Sequence, residues 1–258
     1  LYYYCTQHSG MGGQINTNST LGSSNFDGST QSTVKVNQTA GFSIVRYTGN
    51  GSTATIGHGL GAAPQTYILK ETNSTSDWYV YHKEAGADRQ LKLNTNDGDT
   101  DNDRWQDTHL TSSVFYLAQK TASNGSGDTY IAYCFSEVAG YSKIGKYTGN
   151  GNSDGTFVFT GFKPAFIMIK RTAQSASSGW FIVDNKRNTF NVVNNKLNAN
   201  QSAEENEAST IGANGANDLD FLSNGFKLRA SNTGTNKSGN GYVYMAFAES
   251  PFKNARAR

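Results

Sequence analysis

Apolar residues along this chain fall in short runs that alternate with polar residues or are rich in β-branched and aromatic side chains. Clusters of Gly, Asn, Asp and Ser separate the runs at intervals of roughly 10–15 residues. The clearest runs are residues 42–47, 66–70, 78–82, 90–93, 114–118 and 130–135. Such spacing is typical of antiparallel strands joined by tight turns, so the pattern predicts an all-β fold of the sandwich or jelly-roll kind.

The chain contains two copies of one pattern. The sequence YTGNG at residues 47–51 returns at residues 147–151, and later matches keep the same order while the offset grows from 100 to about 112. The further matches are Gly61 and Pro64 with Gly161 and Pro164, residues 66–70 with 166–170, Trp78 with Trp180, Leu93-Asn94 with Leu197-Asn198, residues 112–117 with 223–228, and residues 130–137 with 242–249. We therefore predict two homologous β-sandwich repeats, at residues 41–139 and 140–252.

The duplication predicts which residues occupy the same place in the two repeats. We expect Tyr47 to superpose on Tyr147, Pro64 on Pro164, Trp78 on Trp180 and Phe135 on Phe247. Outside the repeats, residues 16–40 are rich in Ser, Thr, Asn and Gly and predict a polar linker. Residues 253–258 predict a short basic tail.

Composition supports the all-β interpretation and removes several classes of function. The chain has 28 Gly, only 3 Pro and many Asn, Ser and Thr, which favours strands and turns over long helices. The formal charge is only +2, and the body of the chain has no block of Lys and Arg. The sequence therefore lacks the basic patch that is typical of nucleic-acid-binding proteins. No apolar run approaches the roughly 20 residues that a membrane-spanning helix needs. We expect neither a nucleic-acid partner nor membrane insertion.

The first residues contain a possible copper loop. Cys5, His8 and Met11 lie between an aromatic run and a Gly-rich return, and a thiolate, an imidazole and a thioether are ligands that copper favours. The segment 1–15 resembles the last hairpin of a cupredoxin-like domain. That resemblance implies a second His ligand from an earlier strand, and none precedes Leu1. We expect an empty remnant with no cofactor, and copper bound at these residues is the alternative.

Two further groups have both a structural and a ligand-binding interpretation. Asp97, Asp99, Asp101 and Asp103 alternate in one loop, as oxygen ligands for Ca²⁺ would. An EF-hand loop needs Gly at its sixth position and an acidic residue at its twelfth, and this loop has Asn and Thr there, so a solvated acidic loop is favoured.

Trp78 and Trp180 could stack on sugar rings, but apolar alternation follows each of them. That placement favours a role in a sandwich core.

Catalytic chemistry finds no support in the pattern. Glu137 and Glu249 recur after the last strand of each repeat, and Lys70 and Lys170 recur earlier, but neither carboxylate has a paired partner at an inferable distance. We expect a structural ion pair or a turn hydrogen bond for these residues, and no enzymatic activity. Cys134 stands where the second repeat has Ala246, which predicts a small, buried and unreactive site.

With these repeats in view, the chain resembles a family of tandem-repeat domains in structural proteins of marine bacteriophage particles. The residues that carry the resemblance are 41–51 (GFSIVRYTGNG), 58–64 (HGLGAAP), 130–137 with 140–143, 220–229 (DFLSNGFKLR) and 244–252 (YMAFAESPF). The resemblance implies a location on the surface of the virion, with other virion proteins as partners.

The resulting hypothesis is a tail fibre or appendage that attaches to a host-surface glycan through loops at the ends of its sandwiches. A capsid decoration protein is the alternative, and a copper electron-transfer module with appended binding domains is a third. Unpaired strand edges and low apolar content predict a homo-oligomer whose contacts involve strand edges and residues 16–40 more than a large apolar face. Analogy with phage fibres favours a trimer.

Overall fold

A computed structural model describes residues 22–173, 178–205 and 219–250, together with the backbone of two short strands at residues 2–4 and 12–14. The strands are β1 Tyr2–Tyr4, β2 Gly12–Gln14, β3 Ser23–Asn25, β4 Ser32–Asn37, β5 Phe42–Thr48, β6 Ala54–Gly57, β7 Thr66–Glu71, β8 Tyr79–His82, β9 Arg89–Lys92, β10 Thr100–Asp101, β11 Val114–Leu117, β12 Thr129–Phe135, β13 Ser142–Thr148, β14 Phe157–Phe159, β15 Pro164–Arg171, β16 Trp180–Asp184, β17 Leu197–Asn198, β18 Leu219–Leu222, β19 Gly225–Leu228 and β20 Gly241–Ala248. The helices are a 3₁₀ turn, Asp103–Trp105, and α1, Thr121–Asn124. The predicted all-β fold is confirmed.

Each repeat places a large sheet against a small one. In the first repeat the large sheet has the order β10-β9-β8-β7-β12-β5-β4-β3, and β11 pairs with β6 in the small sheet. In the second repeat the orders are β13-β20-β15-β16-β17 and β14-β19-β18. All these pairs are antiparallel. The five strands of the second large sheet, β13-β20-β15-β16-β17, correspond in order to β5-β12-β7-β8-β9 of the first. One apolar core lies between the two layers of each repeat.

Strand register places the predicted pairs of residues at equivalent positions. Tyr47 lies opposite Tyr130 with ring centroids 5.1 Å apart, and Tyr147 lies opposite Tyr242 at 5.0 Å. The hydroxyls of Tyr47 and Tyr147 each donate to a backbone carbonyl at 2.6 Å.

Of the other three pairs, the Trp pair and the Phe pair follow the same registers, and the Pro pair does not. Trp180 lies opposite Lys170, and continuing the β7–β8 register by one residue brings Trp78 opposite Lys70. Phe135 ends β12 opposite the first residues of β5 and β7, and Phe247 is likewise opposite the first residue of β13. Pro164 begins β15, whereas Pro64 lies two residues before β7.

One predicted match is wrong by two residues. Backbone N–H groups of Trp78 and Trp180 donate to the side chains of Asn94 and Asn200, at 3.0 and 2.9 Å, so these asparagines are the equivalent pair. The Leu93-Asn94 match with Leu197-Asn198 is therefore a chance identity between positions that are not structurally equivalent. A longer loop between β16 and β17 adds residues that the sequence comparison missed.

The expected linker at residues 16–40 is also wrong for its described part. Residues 22–37 contribute β3 and β4, and β4 pairs with β5 from Ser32 opposite Tyr47 to Asn37 opposite Phe42. Backbone hydrogen bonds hold this segment in the sheet, and most of its side chains are polar because only Ser32 and Val34 of the two strands are buried. Because the segment is mostly polar, its composition did not predict the strands β3 and β4.

The two repeats pack through the outer faces of their large sheets. Val80 and Leu91 of the first repeat form one buried cluster with Trp180 and Val243 of the second. The order of layers is thus small sheet, large sheet, large sheet, small sheet. Because both faces of the large sheets are covered there, β8 is buried at all four positions and alternation disappears. In the described residues no helix is long and apolar enough to cross a membrane.

Candidate binding surface

The loop between β16 and β17, residues 185–196, forms an exposed surface at one end of the second sandwich. Its counterpart in the first repeat is the shorter turn at residues 83–88. That turn lies at the junction of the repeats, where Glu84 and Lys146 form an ion pair at 3.2 Å. At the equivalent end of the second sandwich, the loop at residues 185–196 is longer and exposed to solvent. This makes the loop a candidate binding surface.

Charged side chains brace the start of this loop. Asp184, the last residue of β16, accepts hydrogen bonds from the backbone N–H groups of Lys186 and Arg187, both at 2.9 Å. The Arg187 guanidinium pairs with Asp184 at 2.7 Å and with Glu205 at 3.0 Å. These contacts depress the pKa of the Asp184 carboxyl although partial burial opposes them. The carboxylate therefore remains ionised and keeps its contacts at neutral pH.

Asparagine side chains fix the rest of the loop. The amide oxygen of Asn188 accepts from the backbone N–H groups of Asn194 and Asn195, at 3.2 and 2.7 Å. Asn191 exchanges two hydrogen bonds with the backbone of Phe221, at 2.9 and 3.0 Å, as a paired strand residue would. The loop is thus held to the core without regular secondary structure, so its outer residues are preorganised for binding.

Phe190 projects from the braced loop and is 83% exposed, the highest value among the exposed large apolar side chains of the described residues. A depression of about 400 Å³ beside it is lined by amide, ammonium and carboxylate groups. Its lining residues include Asn185, Lys186, Asn188, Lys163 and Glu249. An exposed ring beside polar groups matches the surface of a sugar, which presents C–H bonds on one face and hydroxyls around its rim.

The predicted copper ligands Cys5, His8 and Met11 lie outside the described residues. The strands flanking them, β1 and β2, pair as the antiparallel hairpin that the sequence predicts.

The structure separates the four aspartates of the candidate calcium loop. Asp103 pairs with Lys120 at 2.6 Å, and Asp99 faces Arg89 at 4.0 Å. Partial burial raises the pKa of the Asp99 carboxyl. Within the described ranges, no three His, Cys, Asp or Glu side chains come together in an arrangement that could hold a metal ion. Part of this loop instead contacts the second repeat, because the carbonyl of Asn96 accepts from the backbone N–H of Ser178 at 2.9 Å.

The two tryptophans differ in burial. Trp180 is buried between the repeats, and its indole N–H donates to the Lys92 carbonyl at 2.8 Å. Trp78 is half-buried and lies outside the apolar clusters of the described residues. Trp180 is therefore a core residue, but it packs in the core between the repeats and not inside one of them.

The recurring charged residues have structural partners. Glu137 pairs with Lys143 and Glu249 with Lys163, both at 2.9 Å. Lys170 is fully buried, and its ammonium donates to the carbonyls of Ser178 and Asn96. Burial lowers the pKa of Lys170 to about 8.

Cys134 is a buried thiol at the position equivalent to Ala246. Both residues are completely buried on their central strands, β12 and β20. Burial raises the pKa of Cys134 to about 12, which disfavours the reactive thiolate.

Sequence reasoning did not single out Phe190. One signal was available, because FNVV interrupts an Asn- and Lys-rich segment, NKRNTFNVVNN, that is longer than its counterpart in the first repeat. An isolated aromatic residue in a polar insertion indicates an exposed side chain.

These features define a duplicated all-β protein in which the second sandwich carries an elaborated end loop. The chain belongs to the family described as Domain of unknown function (DUF7483), whose model matches residues 16–251. That single model spans both repeats and the segment that contains β3 and β4. No curated protein matches the chain, and no solved structure matches it.

Proposed function

We propose that this chain is a non-catalytic structural protein of a bacteriophage particle, a tail fibre or another appendage, that binds a host-surface glycan through the Phe190 loop. The observation that carries the glycan site is an exposed ring held on a hydrogen-bonded loop at the end of the second sandwich. The sequence resemblance to phage structural proteins supports the location on the virion surface. The homo-oligomer, with a trimer favoured, belongs to the same proposal.

The physical case rests on how sugars are bound. Sugar hydroxyls gain little binding free energy on leaving water unless the protein offers matched hydrogen-bond partners. Affinity therefore comes mainly from an aromatic ring stacked on the sugar, and specificity comes from nearby polar groups. Phe190 supplies the ring, and Lys186, Asn188 and Glu249 supply donors and acceptors. Because Asp184 and Asn191 already hold the loop, little further ordering is required when a glycan binds.

The test is a Phe190→Ala variant assayed for binding to surface polysaccharide purified from a host bacterium. We expect binding to weaken at least roughly tenfold, which corresponds to about 1.4 kcal/mol. The melting temperature should stay unchanged because the ring packs against little of the protein. Phe26→Ala is the matched control, since Phe26 is also an exposed Phe, at 67%, but lies in the first repeat.

Two outcomes would reject this proposal. If both variants bind the polysaccharide as the native protein does, Phe190 is not the glycan contact. If gold-labelled antibody against this chain decorates no part of intact phage particles in electron micrographs, the virion location is wrong. Label spread evenly over the head, and absent from the tail, would favour the alternative of a capsid decoration protein.

A further inference from the structure

One edge of the large sheet is covered in the first repeat and, within the described residues, open in the second. In the first repeat β5 pairs on its outer side with β4. In the second repeat the equivalent strand β13 pairs only with β20 among the described strands. The cause lies in the sequence, since the connection from β12 to β13 is residues 136–141 and is too short to form a hairpin like β3–β4.

The first repeat shows what fits at this edge. The segment from β3 to β4 fills the space between β5 and β6, with bridges from Gly28 and Thr30 to Ile56. Val34 and Val36 of β4 face the wall after β6, because a Cβ added at Gly59 would lie 3.4 and 3.8 Å from them. A strand whose alternate residues are apolar therefore closes the sandwich.

The equivalent space in the second repeat is an open groove of about 480 Å³ between β13 and β14. Residues 143–147 of β13 and residues 157–159 of β14 form its two long walls. Gln65, Lys83 and Glu84 of the first repeat line one side. The groove is thus built by both repeats and follows a strand edge along most of its length. We call it the edge groove.

The outer side of β13 presents backbone groups suited to pairing. Gly149 donates to the Asn240 carbonyl at 2.9 Å and Ala248 donates to the Tyr141 carbonyl at 2.8 Å, so odd-numbered residues of β13 direct their backbone groups toward β20. By the alternation of an antiparallel ladder, even-numbered residues direct theirs away from β20. Ser142 is bonded to Val138 and the Thr148 carbonyl accepts from the Thr156 hydroxyl, whereas Lys146 directs its backbone groups into the edge groove.

A carboxylate occupies part of this edge. Glu137 accepts hydrogen bonds from the backbone N–H of Ile144 and from the Lys143 ammonium, both at 2.9 Å. In the first repeat Lys35 of β4 lies opposite the equivalent residue, Ile44. A charged cap of this kind protects an edge strand from indiscriminate pairing. Glu137 is partly exposed and can swing away when a strand arrives.

The second wall carries apolar side chains that are open to solvent. Phe157 and Phe159 of β14 are 45% and 62% exposed. Thr55 and Gly57 occupy the equivalent positions in the first repeat, where β3 and its turn cover them. Exposed aromatic rings beside a strand edge that has open backbone groups at Lys146 favour a partner that adds both backbone hydrogen bonds and apolar side chains.

We propose that the edge groove binds an extended β-strand of a different protein, antiparallel to β13, with apolar residues at alternate positions packed on Phe157 and Phe159. The occupant follows from the chain's own template, since β4 presents Val34 and Val36 to Gly59, just beyond β6, the strand equivalent to β14. This site is distinct from the Phe190 loop, and its function does not depend on glycan binding.

The probe is a labelled peptide with the sequence of residues 30–38, TQSTVKVNQ, titrated against the full chain by fluorescence anisotropy. We expect saturable binding that weakens at least tenfold for Lys146→Pro, which removes the N–H that faces the groove and leaves the β20 ladder intact. Lys146→Ala keeps that N–H and loses only the side chain, so it should weaken binding much less than Lys146→Pro does. Phe159→Ala should also weaken binding, and Phe190→Ala should not.

The peptide supplies its own control. A version with Lys35→Pro lacks a pairing N–H and should bind at least tenfold more weakly. Circular dichroism and melting curves verify that each protein variant is folded, and Phe159→Ala keeps the test decisive if Lys146→Pro unfolds. Equal affinity for native, Lys146→Pro and Phe159→Ala chains would overturn the proposal. So would a native oligomer that Lys146→Pro dissociates while no peptide binds, because the occupant would then be a second copy.

Discussion

At the residue scale, two buried asparagines explain why the motif YTGNG is repeated. Asn236 accepts from the Asn150 backbone N–H and donates to the Asn150 side chain, both at 3.0 Å. Asn124 makes the same pair of contacts with Asn50, at 3.1 and 3.0 Å. The turn is therefore defined by an asparagine far along the chain. The final offset of 112 relates Asn124 to Asn236, so the sequence contained this pair although nothing marked its role.

His82 makes the stability of the protein depend on pH. The ring is buried at the junction of the repeats, where Nδ1 accepts from the Glu84 backbone N–H at 3.3 Å and Nε2 lies 3.4 Å from the Tyr244 carbonyl. The neutral ring satisfies both contacts. Burial lowers its pKa from 6.5 to about 4, while Glu84 raises it and Lys146 lowers it by smaller amounts.

Because the folded pKa is below the unfolded one, the unfolded chain binds the proton first as pH falls. Stability from this residue is complete above pH 6.5 and declines between pH 6.5 and about 4. The loss approaches about 3 kcal/mol, at roughly 1.4 kcal/mol per pKa unit. In urea titrations across this range, His82→Gln should show a flatter decline, since Gln can donate and accept without titrating. A slope identical to that of the native chain would contradict the assignment.

At the element scale, alternation predicts a strand only where one face is buried and the other is wet. It succeeds for β5, β7 and β12, whose inner faces hold the core of the first repeat. It fails for β4, because that strand is stabilised mainly by backbone hydrogen bonds to β5. Amino-acid composition gives no information about such backbone pairing. The Phe190 loop escaped prediction for a related reason, since side chains of Asn and Arg replace regular pairing there.

The assignment of β4 as an integral strand can be tested on that strand alone. Val34 is buried in the first core, and Val36, on the same face, is 40% exposed. Val34→Asp should lower the free energy of unfolding by about 3 kcal/mol, because it buries a carboxylate without a partner. Val36→Asp should lower it by less than about 1 kcal/mol. Equal small losses in urea titrations would mean that the segment is the linker that its composition suggested.

At the scale of the whole molecule, the two repeats share a core that sequence comparison could not reveal. Duplication predicts two domains, yet each repeat buries apolar residues against the outer sheet face of the other. The sequence carries the apolar residues on both faces of β8 and β20, but it does not say which neighbour covers the second face. The family model likewise spans both repeats as one unit.

Trp180 lies at the centre of this shared core and provides the test of coupling. Its ring packs with Val80, Leu91 and Val243, and its indole N–H is bonded across the junction to Lys92. Trp180→Ala should cost about 3–5 kcal/mol, as large-to-small core substitutions do. The lost stability comes from the contact between the repeats. We therefore expect the native chain to show a single calorimetric unfolding transition and the Trp180→Ala chain to show two.

Trp78→Ala is the matched control, because Trp78 has the equivalent position in the first repeat but is only half-buried. It should cost about 1 kcal/mol and leave one transition, since no partner repeat covers that ring within the described structure. Two transitions already present in the native chain would mean that the repeats fold independently, whatever the contact between them. Equal losses for the two variants would mean that Trp180 stabilises only its own sheet. The shared core predicts that only Trp180→Ala separates the repeats, because only Trp180 contacts both.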